Sequence, residues 1–81
     1  MRIKIKLFAI LKEITGRNET VLEVPDEVSC AEILFHLRDE IPDLFSILDS
    51  CLVTVNGRCA DKNMYLSARD EVAILPPVSG G

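Results

Sequence analysis

The segment from residue 29 to residue 41 carries the longest apolar stripe of helical period in this chain. Its apolar members recur every three or four residues: Cys30, Ile33, Leu34, Leu37 and Ile41. Ser29 precedes the stripe and Glu32 follows three residues later, which is the pattern of a capping box, and Pro42 ends the segment. A helix with one apolar face needs another surface to bury it. Since β-like segments lie on both sides, the pattern predicts one main helix packed on one face of a sheet.

Short β-like segments surround this helix. Residues 2–8 alternate polar and apolar side chains, which is typical of a half-buried strand. Asn56-Gly57 separates two further β-like runs and predicts a tight turn, because both residue types tolerate positive φ. Gly16 predicts the end of a short helix over residues 9–15. The predicted strands are 2–8, 19–24, 52–55, 58–60 and 71–77.

This order of segments predicts an α+β fold. The expected sheet is mixed, has about five short strands, and carries the main helix on one face. We assign residues 1–75 to one domain and residues 76–81 to an extended C-terminal tail.

Composition and charge exclude several classes of protein. The formal net charge of −4 gives no basic footprint for nucleic acid. No apolar run reaches the length of a membrane span, and residues 1–13 lack the pattern of a signal peptide. Three irregularly spaced cysteines do not predict a disulfide framework or a metal site. We therefore expect a cytoplasmic protein without nucleic-acid or membrane partners.

The last six residues, PPVSGG, combine stiffness with small size. Pro76 and Pro77 restrict φ and keep the chain extended. Gly80 and Gly81 lack side chains and can pass through a channel that excludes other residues. The α-carboxylate of Gly81 is the reactive group of this tail, and it becomes an electrophile after activation, for instance as an acyl-adenylate. The alternative is a frayed end that contains glycine and proline by chance.

Three stretches carry a resemblance that extends over essentially the whole chain. LFAILKEITG, VTVNG and DEVAILPPVSGG resemble the small, sulfur-carrying subunit of molybdopterin synthase, and PPVSGG is the most specific of the matching pieces. The resemblance implies a ubiquitin-like β-grasp fold, which agrees with the order of elements predicted above.

The resemblance also implies a chemistry for the tail. An ATP-using, ubiquitin-activating-type enzyme would adenylate Gly81, and sulfur delivery would give a terminal thiocarboxylate, so no stably bound cofactor is expected. The tail would then enter the large subunit of the synthase, in a heterotetramer, and donate sulfur to a cyclic pyranopterin precursor. Gly80 would share the narrow passage. The residues threaded behind it would be Pro76, Pro77, Val78 and Ser79, and the implied partner interface contains Phe8, Cys59 and Leu75.

This sequence departs from the family pattern at three positions. Arg69 stands where glycine is usual, so we expect backbone strain if that turn needs positive φ. Leu75 replaces a bulkier aromatic residue, and Lys12 stands where arginine is common.

Other functions are compatible with the same residues. A carrier of this fold could serve thiazole synthesis, and an activated Gly81 could also form amide bonds with lysines, as a protein modifier does. A plain interaction module is a further alternative, and Cys59 is the cysteine that could carry a persulfide. We predict a solvent-facing His36 without a ligand role. The acidic residues predicted on the surface, which could meet a basic partner, are Glu19, Glu23, Asp26 and Glu27.

Overall fold

The computed structural model describes residues 1–77 and contains five strands and three α-helices. The strands are β1 (Arg2–Leu7), β2 (Glu19–Glu23), β3 (Leu52–Val55), β4 (Arg58–Cys59) and β5 (Val72–Leu75). The helices are α1 (Ile10–Thr15), α2 (Cys30–Glu40) and α3 (Phe45–Leu48), with a 3₁₀ turn at Pro42–Leu44 before α3. The predictions for Val78, Ser79, Gly80 and Gly81 lie outside the described residues.

The strands form one mixed sheet in the order β2-β1-β5-β3-β4. The first and last strands of the chain are parallel neighbours in its centre, with Ile5 opposite Val72. All other pairs are antiparallel. A parallel pair requires a crossover connection, and α2 lies on the path that joins the two halves of the sheet. The predicted α+β fold and mixed five-stranded sheet are confirmed.

The core lies between α2 and one face of the sheet. Alternate residues of the strands point into it, as the period of two in the sequence predicts. The helix contributes Cys30, Ile33 and Leu37, all of which are buried, whereas Leu34 and Ile41 are half-buried at the margin. The strand residues of the core are Ile3, Ile5, Leu7, Leu22, Val55, Val72 and Ile74.

The predicted helix ends are confirmed by their hydrogen bonds. Ser29 Oγ accepts from the amide of Glu32 at 3.2 Å, and the Ser29 amide donates to Glu32 Oε1 at 3.1 Å, so the capping box is complete. Gly16 ends α1 with φ of 71° and donates its amide to the carbonyl of Lys12. Asn56 and Gly57 have φ of 54° and 82°, as the predicted turn requires.

The structure decides two expectations about single residues. Within residues 1–77, the non-glycine residues with positive φ are Ala9 and Asn56, so the turn does not need positive φ at Arg69 and the strain expected under that condition is absent. His36 is half-buried beside β2 rather than directed fully into solvent.

No helix among residues 1–77 combines the length and the apolar character needed to cross a bilayer.

Candidate functional site

The segment that leads into the tail continues the central part of the sheet. Strand β5 pairs with β1 on one side and with β3 on the other, and Leu75 is its last residue. Pro76 is half-buried and Pro77 is exposed. Neither proline has a backbone N–H to donate, so the ladder cannot continue through them. Pairing on both sides of β5 therefore holds the base of the tail at a defined position on the domain.

An apolar patch surrounds this base on the sheet face opposite α2. We call Phe8, Leu52 and Leu75 the tail-base patch. Leu52 lies opposite Leu75 in the register of β3 and β5. Leu7 is paired with Ile74, and the same register, continued by one residue, brings Phe8 beside Leu75. Phe8 and Leu52 are 43% and 50% exposed.

Cys59 lies apart from this patch. It is exposed on the edge strand β4, where it pairs with Thr54, and Thr54 in turn pairs with Ala73. Strand β3 therefore separates Cys59 from β5. Three residues were predicted from the sequence to form the partner interface. Phe8 and Leu75 lie together in the structure, whereas Cys59 does not lie beside them. Leu52 joins the first two, although the sequence did not single it out. A period-two reading of 52–55 with Val53 and Val55 inward would have indicated that Leu52 faces outward.

Charged side chains next to the patch are paired with one another across strands. Lys6 Nζ donates to Glu71 Oε1, and this hydrogen bond raises the pKa of Lys6 and lowers that of Glu71. Glu19 and Glu23, predicted as a solvated acidic rim, face Lys4 and Arg2 across β1 and β2 at 3.9 and 3.1 Å. Exposed ion pairs of this kind contribute little to stability, but they neutralise much of the charge on the exposed face of β1 and β2.

Ala9 has an unusual backbone beside the tail-base patch. Its φ of 51° and ψ of −124° lie in a region that an L-residue with a Cβ rarely adopts. The amide of Leu11 donates to the carbonyl of Phe8, and the amide of Glu13 donates to that of Ala9. The chain thus reverses sharply from β1 into α1 and leaves Phe8 on the surface. Nothing in the residue type predicted this conformation.

A hydrogen-bonded clamp fixes the other end of β5. Asn56 Nδ2 donates to Asp70 Oδ1 at 3.1 Å, and Asn56 Oδ1 accepts from the amide of Glu71 at 2.9 Å. Asp70 Oδ2 accepts from the amide of Ser67 at 2.8 Å. The clamp connects the β3–β4 turn with the loop before β5, so it sets where the last strand begins.

The described residues contain neither a metal-ligand cluster nor a buried cysteine with a lowered thiol pKa. Among residues 1–77, no three or more His, Cys, Asp or Glu side chains are grouped so that they could hold a metal ion. Burial raises the pKa of the Cys30 and Cys51 thiols, which makes their thiolates scarcer at neutral pH.

The sheet order, the crossover helix and the extension from a central strand define a ubiquitin-like β-grasp protein. A sequence profile described as the ThiS family matches residues 5–81. This chain belongs to that family.

Curated relatives match the chain over its whole length. A protein of Dictyostelium discoideum, the molybdopterin synthase sulfur carrier subunit, is 35% identical, and the match covers 99% of this chain and 96% of the relative. The protein of the same name from Chlamydomonas reinhardtii is 37% identical, with 100% of both chains covered. These names agree with the resemblance found in the sequence.

Solved structures share the fold. SAMP1 from Haloferax volcanii, a small archaeal modifier protein, superimposes with a TM-score of 0.89 at 31% identity and covers 100% of both chains. A chain in the complex of subunits 1 and 2 of the molybdopterin-converting factor from Helicobacter pylori has a TM-score of 0.72 at 23% identity, again with 100% of both chains covered.

Proposed function

We propose that this chain is the sulfur carrier of molybdopterin synthesis and that Gly81 bears the sulfur. The observation that carries the proposal is the end-to-end match with relatives of that name, including 100% coverage of both chains in one case. The base of the tail supports it, since β5 is paired on both sides and ends within an apolar patch. Both curated relatives described above are named for molybdopterin synthase, which favours this pathway over thiazole synthesis.

The proposed chemistry takes place at the carboxylate of Gly81. A carboxylate oxygen attacks the α-phosphorus of ATP and releases pyrophosphate, which leaves an acyl-adenylate. Hydrosulfide then attacks the acyl carbon and displaces AMP, and loss of its proton leaves a thiocarboxylate. The thiocarboxylate sulfur forms a bond to a carbon of the pyranopterin precursor. Water then cleaves the acyl C–S bond, which leaves the sulfur on the precursor and returns the tail to the carboxylate. An adenylyltransferase of the ubiquitin-activating type performs the first step, so the domain itself needs no catalytic acid or base.

The proposed partner for sulfur transfer is the large subunit of the synthase, in a cytoplasmic heterotetramer. The Helicobacter pylori complex shows the same fold assembled with a second subunit. The tail-base patch supplies apolar contact area at the point where the tail enters the partner. Docking of the patch holds the tail terminus near the precursor and raises its effective concentration there.

Intact-mass spectrometry tests the loading of Gly81. The chain is incubated with ATP, a sulfur source and an activating enzyme, and we expect one oxygen to be exchanged for sulfur on the C-terminal peptide. Sulfur located on Cys59, or no mass change, would contradict the proposal. Cys59→Ser is the matched control and should load as the parent chain does.

Tail variants test the threading step separately. We expect Gly80→Trp, or one residue added after Gly81, to stop sulfur transfer while the circular dichroism and melting temperature of the domain stay unchanged. Transfer at the parental rate by either variant would exclude a narrow passage.

A protein modifier is the second candidate function. The similarity to SAMP1 at 31% identity favours it, and an activated Gly81 could acylate a lysine amine as well as receive sulfur. Conjugates that shift on a denaturing gel, and that disappear when Gly81 is deleted, would support this use. Their absence from cells that make the cofactor would restrict the chain to sulfur transfer.

A further inference from the structure

An exposed aromatic cluster lies on α2 and α3, away from the tail. Phe35 and Phe45 are 60% and 61% exposed, which is unusual for phenylalanine on a protein surface. The guanidinium of Arg38 lies 5.2 Å from the ring centroid of Phe35 and 4.8 Å from that of Phe45. We call these three residues the Arg38 cluster. Because the cation lies close to both rings, cation–π attraction favours this arrangement of the three side chains before any partner binds.

The hydrogen bonding of Arg38 is incomplete within the described part of the chain. Its Nη2 donates to Asp49 Oδ1 at 3.2 Å, and its Nε is buried without a hydrogen-bond partner. The side chain of Asp49 is exposed, so this ion pair is weak and can be exchanged for another carboxylate. A guanidinium can bind a carboxylate through two parallel N–H donors. Because Nε of Arg38 is buried, the donors that can serve a partner carboxylate are those on the two Nη atoms.

A cavity of about 350 Å³ lies next to this cluster, between α2 and the start of β3. Strand β4 pairs with Thr54 and Val55, and just beyond it the amide of Ala60 donates to the carbonyl of Val53 at 3.0 Å. The cavity therefore lies where this edge pairing ends, at Leu52. Most of its wall is apolar or thiol, and Lys62 adds a second cation to Arg38. The volume is sufficient for an aliphatic or aromatic side chain from another molecule.

We propose that the Arg38 cluster and this cavity form a docking site for a segment of a partner protein. The segment inserts an apolar side chain into the cavity and places a neighbouring carboxylate on Arg38. This inference goes beyond the proposed function, since it needs neither ATP nor the sulfur on Gly81.

Charge complementarity identifies the occupant. The site carries the two cations Arg38 and Lys62 and one carboxylate, Asp49, on a chain whose formal net charge is −4. The site therefore favours an acidic segment that the rest of the surface would repel. A second copy of the chain fits poorly, because a twofold contact sets this surface against itself and so brings two sets of Arg38 and Lys62 together against only two Asp49 carboxylates.

The site is also continuous with the tail-base patch. Leu52 belongs to both, since it lies opposite Leu75 and lines the cavity. A partner that covers the tail base can thus extend around the edge of β3 to Arg38. Aromatic and arginine side chains are the residue types that most often dominate binding energy at protein interfaces.

A randomised peptide display library, selected on the full-length chain, tests the proposal. We expect the enriched peptides to carry an apolar residue within a few positions of Asp or Glu. A synthetic peptide of the enriched sequence should shift the amide resonances of α2, α3 and the start of β3 in an NMR titration.

Matched variants separate docking from folding. Arg38→Gln should weaken binding of that peptide at least about tenfold, because it removes the charge-assisted donors. Phe35→Ser should also weaken it, whereas Tyr65→Ser, which removes an exposed aromatic residue outside the cavity, should leave it unchanged. Asp49→Asn removes the competing carboxylate and should tighten binding up to about fivefold.

Several results would overturn the proposal. These are the absence of any enriched peptide, enrichment of peptides without an acidic residue, and amide shifts outside the Arg38 cluster and cavity. Equal binding by Arg38→Gln and the parent chain, with equal melting temperatures, would also overturn it. A concentration-dependent dimer that Phe35→Ser abolishes would assign the surface to a second copy instead.

Discussion

Leu52 lies directly opposite Leu75 in the antiparallel pairing of β3 and β5, and the two leucines stand where the sheet ends and the tail begins. Leu75 is half-buried and Leu52 is half exposed. The last side chain of the domain before Pro76 therefore shares its surface with a residue that lies 23 positions earlier in the chain (75 − 52). This pairing makes the tail base an apolar surface rather than a single exposed leucine.

The tail-base patch should be needed for binding to the large subunit. We expect Leu52→Asp to weaken that binding at least about tenfold, because a charge would be buried in an apolar contact. Val21→Asp is the matched control, since Val21 is 49% exposed and lies on β2, at the far edge of the sheet from Leu52. Calorimetry with the purified large subunit measures both, and an equal loss for the two variants would argue against the patch.

The strained backbone at Ala9 should make a glycine substitution stabilising. Glycine loses more chain entropy on folding than alanine, by about 0.5–1 kcal/mol, but it removes a positive-φ penalty of about 1–2 kcal/mol. We therefore expect Ala9→Gly to raise the free energy of unfolding by up to about 1.5 kcal/mol in urea titrations. Ala31→Gly, inside α2, should lower it by about 0.5–1 kcal/mol. If both variants destabilise equally, Ala9 is not strained.

The hydrogen-bonded clamp at Asn56 should contribute to the stability of the fold through two separable effects, its side-chain hydrogen bonds and its backbone angle. Asn56→Ala removes both side-chain hydrogen bonds and places alanine at φ of 54°. We therefore expect it to lower the free energy of unfolding by about 2 kcal/mol. Asn56→Gly removes the same bonds but tolerates the backbone angle and should cost less. Thermal unfolding should rank the parent first, the glycine variant second and the alanine variant third, and equal losses would show that the angle has no effect.

The Lys6–Glu71 pair predicts that the folding stability depends on pH, with a definite sign. The hydrogen bond from Lys6 lowers the pKa of Glu71 from its ordinary value of 4.5. The stabilisation is therefore present above pH 4.5 and is lost as the pH falls through the lower pKa of the folded state. The pKa of Lys6 is raised from 10.5, so its contribution persists below that pH and disappears as the pH rises through its folded value.

Carboxyl NMR titrations measure this effect. Lys6→Met should return the pKa of Glu71 toward 4.5, whereas Lys4→Met, which removes a cation that faces Glu19, should not. A Glu71 pKa that is the same in the parent chain and in Lys6→Met would contradict the prediction.

The cysteines should differ in reactivity according to burial. Cys59 is exposed, whereas Cys30 is buried and Cys51 is half-buried, and burial raises the pKa of the latter two thiols. Iodoacetamide at neutral pH should therefore alkylate Cys59 first, as followed by peptide mass spectrometry. In guanidinium all three should react at similar rates. Alkylation of Cys30 at the rate of Cys59 in the native protein would show that the helix side of the cavity opens.

Most of the secondary structure could be predicted from local patterns. Ser29 and Glu32 marked the start of α2, Gly16 marked the end of α1, and Asn56-Gly57 marked the β3–β4 turn. Each of these signals depends on hydrogen bonds or φ values within a few residues, so the amino-acid types are sufficient to predict them. The resemblance carried by PPVSGG and the two other stretches likewise identified the family before any contact was known.

Contacts between distant segments were decided by the tertiary structure. Leu52 joins Phe8 and Leu75 because β5 inserts between β1 and β3, and no local pattern specifies that insertion. Arg38 meets Phe45 because the chain reverses at Pro42, which brings α3 back beside α2. The local sequence thus determined where the helices and strands lie and which residues belong to the tail. The placement of surface side chains depended instead on how strands and helices far apart in the chain bury their shared apolar faces.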